Sequence, residues 1–416
     1  MNEPNPHAVF HKPEDHYDWD KYLEQLDLIE LSVSEKARAI QALQYLRGLF
    51  GETFLKKCFD NRHPFYYELA NSAPMARLRL IRFAESLQCL ERSTGFDTMV
   101  TRLRRAKYSD EFKEASTVVE TAYKFQKTGF TIIFEPKVKI VNVVGKEIPR
   151  EPDIKIINPE NGEETFVEVS RLRESEKQIT SGNSFDTIWF LIHRIMDASL
   201  VIDIDRERNK QIHRHVLPYA NILKHLEREE LDEVIPQITS LAEKVHETNE
   251  FHELIVENKI EVAISPKHDH SKAKAWAETR GMRDLVESPP IPLYETHRAR
   301  MKIGKKAKQL PSDKPGIIVI TTEETLLFIA YPVNLIINEL KSEMSQYPQL
   351  KYVVLSLKLG ESPKNPVTIS LDEHLFIKKT REDLVTESNI LIDNSAFNLE
   401  MSEPTTKQIM QAFINN

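Results

Sequence analysis

The chemistry this chain could carry is concentrated in REPDIKIINPENGEETFVEVSRL, Arg150 to Leu172. Asp153 stands in one apolar run and Glu168 in the next, with Asn158, Pro159, Asn161 and Gly162 between them. Runs rich in Ile, Val, Phe and Thr around an Asn-Gly predict a β-hairpin. If Asn161-Gly162 forms the two-residue turn, Asp153 faces Ser170 and Lys155 faces Glu168. A slip of two residues sets Asp153 opposite Glu168 instead. Either register puts Asp153, Lys155, Glu168 and Ser170 on one face, because side chains alternate along a strand. Carboxylates directly opposed at about 5 Å repel unless a cation or proton lies between them, so the pattern points to a divalent metal. The competing reading is a solvent-facing hairpin with an ordinary Lys155–Glu168 surface pair.

The elements that must position these residues begin at SDEFKEASTVVETAYKFQKTGFTIIFEPKVKIV, from Ser109. Phe112, Ala115, Val119, Ala122 and Gln126 share a helical stripe flanked by Glu120, and Gly129 is placed to end the helix. Phe130–Phe134 reads as a strand, and Val138–Val144 continues or extends it after Pro136. The order is helix, strand, Pro-Asp strand, Glu-Val-Ser strand.

That order resembles the PD-(D/E)XK, or restriction-endonuclease-like, nucleases over Glu111 to Arg171, and more weakly over Arg298 to Thr321. Glu120 matches the family's helix acid, Pro152 and Asp153 its Pro-Asp, and Glu168 its second acid. Ser170 stands where the family has lysine. The resemblance implies that Asp153 and Glu168 hold Mg²⁺, with Mn²⁺ as the substitute, which takes oxygen ligands at about 2.1 Å. It also implies that the metal polarises the scissile phosphate and activates water, while a lysine orients that water. Serine supplies no charge. Catalytic side chains migrate to neighbouring elements in some members of the family, which makes Lys155, two residues from Asp153, the candidate replacement. A serine here also suits a scaffold that binds without cutting.

Downstream, HRARMKIGKKAK holds Arg298, Arg300, Lys302, Lys305, Lys306 and Lys308 with no acid. Ile303, Ala307 and Leu310 form one face of this predicted helix, leaving the lysines largely outward, as a nucleic-acid surface or a solvated face. The apolar strand GIIVIT follows, and KKAKQL resembles the Lys- and Gln-bearing helix that packs by the sheet in the nucleases. The weaker cluster Arg206 to His215 is interrupted by acid. The net charge of -8 argues mildly against general nucleic-acid binding, although the distribution of charge matters more than its sum.

The rest of the chain frames this region. At 416 residues, 40% hydrophobic and 29% charged, it is long enough for more than one core. Residues 1–28 are polar. Residues 29–108 read as a helical module, with Ser32 and Glu35 as a capping box and Arg102, Arg104, Arg105 and Lys107 at its junction. Residues 109–360 read as the nuclease-like domain with a helical insertion, and 361–416 as a C-terminal extension. Within the insertion SFDTIWFLIHRIMDA reads as helix, SLVIDID as strand and KIEVAIS as strand. Cys58 and Cys89 lie in apolar helical surroundings, as buried thiols of a reducing compartment. No signal peptide or membrane-length apolar run occurs, and the expected location is cytoplasmic. The His268–His270 pair reads as solvated, and no complete P-loop, dinucleotide fingerprint or Gly-x-Ser-x-Gly elbow is present.

The expected fold is therefore α/β, a restriction-endonuclease-like mixed sheet flanked by helices and preceded by an all-α module. The expected function is metal-dependent hydrolysis of phosphodiester bonds in DNA, in restriction, phage defence or repair. The alternative is a catalytically silent subunit that binds nucleic acid or partner proteins. DNA is the expected partner, with self-association or a second subunit, and no membrane.

Overall fold

The computed structural model describes residues 9–61, 63–106, 109–141, 147–172, 176–208, 216–289, 295–322, 333–359, 375–378 and 386–414. Lys107, residues 142–144 and the end of the Arg206–His215 cluster, read above as element or charge features, lie outside them. The chain is mixed α/β and divides into two compact units, Met1–Arg173 with Tyr294–Asn416, and Glu174–Leu293.

The first unit opens with α1 (Trp19–Gln25), α2 (Val33–Phe50), α3 (Phe54–Asp60), α4 (Pro64–Ala70), α5 (Pro74–Leu90) and α6 (Phe96–Arg105). The capping box forms as expected: Ser32 Oγ accepts from Glu35 N–H, and the Glu35 carboxylate accepts from Ser32 N–H. Prolines 64 and 74 open α4 and α5, where a missing N–H costs nothing. Cys58 is buried, and its thiol is pushed up to about 12 by that burial, whereas Cys89 falls on an exposed turn of α5 between buried Leu87 and Leu90. The expectation of two buried thiols holds for Cys58 alone.

Next come α7 (Ser109–Lys127), β1 (Thr131–Phe134), the hairpin strands β2 (Val138–Val141) and β3 (Glu147–Arg150), then β4 (Ile154–Ile157) and β5 (Glu164–Leu172). Gly129, at φ +98, ends the α7 region as its position suggests. The stretch after Pro136 does not prolong β1, because β2 pairs with β3 as a separate two-stranded sheet.

The second unit contains α8 (Glu176–Arg208), β6 (Val216–Ile222), α9 (Arg228–Thr248), β7 (His252–Val256), β8 (Ile260–Pro266), α10 (His270–Thr279) and β9 (Val286–Glu287). Its sheet has the order β7-β8-β6-β9. The insertion is thus an α/β unit with a core of its own, including Ile188, Ile192, Ala220, Val234, Ile238 and Val262. KIEVAIS forms β8, whereas SLVIDID belongs to α8 and not to a strand. Short apolar runs do not distinguish a strand from a stretch of long helix, which accounts for the second outcome.

The first unit resumes with α11 (Glu295–Ala307), β10 (Gly316–Thr322), α12 (Val333–Met344), β11 (Leu350–Leu359), β12 (Leu375–Lys378), β13 (Thr386–Asp393) and α13 (Glu403–Ile414). The seven strands of its large sheet run in the order β1-β4-β5-β10-β11-β13-β12. β5, β10 and β11 are mutually parallel, and the remaining pairs are antiparallel. Strands β12 and β13 come from the segment expected to be an extension, and α13 packs on the same unit. The C-terminal part therefore completes the sheet.

Side-chain alternation divides the sheet into two faces. Ile154, Ile156, Val167, Val169, Ile317 and Val319 point toward the helical module, α7 and α13. Phe166, Leu172, Ile318, Ile320, Val353 and Ile390 point toward α11 and α12. β5 lies inside the sheet between β4 and β10, so any polar group at its centre is buried whichever face it takes. No helix among the described residues is long and apolar enough to cross a membrane.

Candidate functional site

The β4–β5 register pairs Ile154 with Val167 and Lys155 with Phe166. Continued one step, it sets Asp153 opposite Glu168, which is the slipped register of the two expected. The reason lies in the turn: Asn158 accepts from Gly162 N–H through its backbone, so the loop is longer than an Asn-Gly two-residue turn. Glu168 is fully buried and Asp153 is 8% exposed, which rules out the solvent-facing hairpin.

The cation between these carboxylates belongs to the protein. Lys306 Nζ donates to Glu168 Oε2 at 2.6 Å and to Asp153 Oδ2 at 3.1 Å. It is carried by α11, whose Ala299, Ile303 and Ala307 pack on the sheet face toward which Glu168 points. One turn on from Ile303, Lys306 reaches over that face to the acids. The backbone N–H of Val169 donates to Asp153 Oδ2 at 2.9 Å. From the other helical layer, Arg102 of α6 places Nη1 3.4 Å from Asp153 Oδ1 and 3.2 Å from Glu135 Oε1. Glu135 adopts φ +47, and its N–H bonds the Asp153 carbonyl, which fixes the backbone at the start of β4.

These surroundings shift the two acids in opposite directions. Burial alone would raise Asp153, but Lys306, the Val169 N–H and Arg102 together hold it below the usual carboxylate range. Glu168 is pushed up to about 8 by burial and by the neighbouring Asp153 charge, against the pull of Lys306. Lys306 is itself held above its ordinary value: burial opposes its charge, and the two acids overcome that opposition. Two acids of divergent proton affinity in one buried site are a frequent mark of function.

The expected site residues are only partly brought together. Asp153 and Glu168 meet. Lys155 does not join them: its Nζ pairs with Glu164 Oε1 at 2.9 Å, because Lys155 lies opposite Phe166 and turns away along the strand. The lysine at the carboxylates is Lys306, read from sequence as a nucleic-acid contact. Beside the site is a small cleft of about 40 Å³, lined by Arg102, Glu114, Thr117, Ser170, Arg171 and Lys306. Glu120 is not among its lining residues, and the helix acid that reaches the cleft is Glu114. Six residues along a helix rotate a side chain by about 240°, so the two acids leave α7 in different directions.

The remaining basic residues of α11 differ in setting. Lys305 and Lys308 are exposed, while Arg298, Arg300 and Lys302 are half-buried, with Arg300 3.6 Å from Glu343. Arg102 was legible only as part of a basic junction. Glu114 and the inward turn of Lys306 had weak sequence signals: a second acid on the helix, and a lysine beside the apolar stripe of Ile303 and Ala307.

The donor set suits a hard divalent cation. Asp153 and Glu168 offer carboxylate oxygens, and Glu168 Oε1 is buried with no hydrogen-bond partner among the described residues. No group of three or more His, Cys, Asp or Glu side chains able to hold a metal occurs among those residues. Mg²⁺ is commonly held by one or two carboxylates, with waters and substrate phosphate completing its shell.

Fold and site define a mixed α/β protein with a lysine-bridged pair of buried carboxylates at the centre of its larger sheet. Comparison with protein-family models, with curated proteins and with solved structures finds no match to this chain.

Proposed function

We propose that this protein is a metal-dependent nuclease of the PD-(D/E)XK type, hydrolysing phosphodiester bonds in DNA, with its lysine supplied by the basic helix. The observation carrying this reading is the convergence of Asp153, Glu168 and Lys306 at one buried point. A Pro-Asp strand start, an acid at the centre of the adjoining strand and a lysine together make up the family's chemical set. Lys306 replaces the missing motif lysine in place of Lys155.

Asp153 and Glu168 would hold Mg²⁺ or Mn²⁺, which when bound polarises a phosphate oxygen and activates water. Lys306 is then the cation available to orient the attacking water and to offset negative charge building on the phosphate. The Val169 N–H keeps Asp153 aimed at the site, and Arg102 keeps its charged form favoured. Burial removes competing water and strengthens each of these interactions.

One observation favours a second reading, a silent binding subunit. Lys306 already neutralises the acid pair, and such a triad can be retained for structure alone. Incubating single- and double-stranded DNA with Mg²⁺, Mn²⁺ or EDTA separates the two. Metal-dependent cutting lost in Asp153→Ala and Lys306→Ala supports the nuclease; cutting that survives Asp153→Ala refutes this mechanism. Metal binding without any cutting supports the silent subunit.

A further inference from the structure

The cleft beside the acid pair has hydrogen-bonding capacity that the carboxylates do not use. Arg102 is engaged through Nη1 alone, and its Nη2 and Nε have no hydrogen-bond partner among the described residues. Its side chain is 36% exposed, on the cleft that it lines. Ser170 is 2% exposed, lines the same cleft, and its hydroxyl likewise has no hydrogen-bond partner among those residues. That hydroxyl opens on the cleft, where it can donate to or accept from a group seated there. Arg171 lines the cleft as well, tied to Asp110 at 3.3 Å. Three cations and a hydroxyl thus surround a space the size of one small group, with Glu114 as the opposing acid.

We infer that this cleft seats the phosphate of the bond to be cut, gripped by Arg102 and by the Ser170 hydroxyl. The inference rests on the nuclease reading above and deepens it by assigning the substrate's anionic group a place. A guanidinium presents two parallel N–H donors that match two oxygens of a phosphate, a geometry that lysine cannot copy. Ser170 follows Glu168 by two residues on the same face, so a phosphate in the cleft lies beside the acid pair and Lys306. Ser170 thus contributes a hydrogen bond where the family pattern has a charge, and the charge comes from Lys306. Arg102 also joins the helical module to the chemistry, because α6 belongs to that module and not to the sheet.

The test uses the full chain, with Arg102→Gln, Arg102→Lys and Ser170→Ala, each checked for native unfolding behaviour. Inorganic phosphate is titrated in EDTA, and plasmid DNA cleavage is followed in Mg²⁺. Arg102→Gln is expected to weaken phosphate binding about tenfold and to lower kcat/KM about a hundredfold, with Ser170→Ala losing about threefold to tenfold. Arg102→Lys should recover only part of the loss. A residue that merely positions Asp153 would alter Mg²⁺ affinity and leave phosphate binding in EDTA unchanged, and that result overturns the inference. So does wild-type protein that binds no phosphate. If phosphate binds through Arg102 and Ser170 while DNA stays uncut with Mg²⁺ and Mn²⁺, the anion seat stands and the nuclease reading falls.

Discussion

Lys306 Nζ lies 2.6 Å from Glu168 Oε2, a contact that joins α11 to the centre of β5 across 138 residues of chain and the whole inserted unit. It also explains how a carboxylate survives at 0% exposure in a sheet. A buried acid requires a partner, and the helix packed on that face provides one.

Lys306 and Lys155 should therefore respond oppositely to substitution. Lys306→Met leaves two buried acids without their shared cation, and is expected to cost about 3 kcal/mol of stability at pH 8 and above. On the nuclease reading it also lowers DNA cleavage by at least about a hundredfold. Lys155→Met removes only the pair with Glu164 near the sheet margin, and should cost about 1 kcal/mol or less with little change in cleavage. Urea unfolding and a cleavage time course on both variants provide the comparison. Equal losses would contradict the assignment of Lys306.

The proton affinity of Glu168 sets a pH dependence. Its folded value, about 8, lies above its ordinary 4.5, so its contribution to stability is fully present below about pH 4.5. That contribution is lost as pH rises toward and through 8. Asp153 is shifted downward, and its contribution is lost only in acid, as pH falls through its depressed value. In EDTA the unfolding free energy of the wild type should fall between pH 5 and pH 8 relative to Glu168→Gln. Parallel curves for the two proteins would rule out the raised affinity.

Metal uptake should show the same group from another side. If Mg²⁺ binds at Asp153 and Glu168, it must displace the proton that Glu168 carries at neutral pH. Calorimetric titration at pH 7 in buffers of different ionisation enthalpy is expected to report proton release, which disappears well above pH 8 and in Glu168→Gln. Mg²⁺ binding with no proton release at pH 7 would place the metal elsewhere.

Gly95 couples the helical module to the site. It precedes α6 at φ +83, and a Cβ there would stand 2.7 Å from the Phe134 carbonyl oxygen. The adjoining Thr94 carbonyl accepts from Phe134 N–H at 2.8 Å, so the junction has little room to shift. Gly95→Ala is expected to destabilise the protein by about 2–4 kcal/mol, through a left-handed backbone and a clash with main chain. Because α6 carries Arg102, the variant should also weaken phosphate binding at a temperature where it remains folded. A stability within about 0.5 kcal/mol of wild type would refute this account.

What the sequence determined by itself was local. The apolar runs of β4, β5, β8 and β10, the stripe of α7 and the caps of α2 follow from periodicity and capping residues, which act over a few positions. The facing of Asp153 and Glu168 was also legible, since both registers compatible with side-chain alternation kept them on one face. Which register held was decided by the loop at Asn158, whose conformation the Asn-Gly pair alone did not specify. Long-range packing decided the rest. Lys155 lies two residues from Asp153, yet its strand position turns it to Glu164, while Lys306 arrives from a helix that tertiary structure lays against the same face. Arg102 and Glu114 come from helices whose phase relative to the cleft depends on docking against the sheet. A carboxylate pair can announce in sequence that it needs a cation, but which cation reaches it is settled only when separate layers pack together.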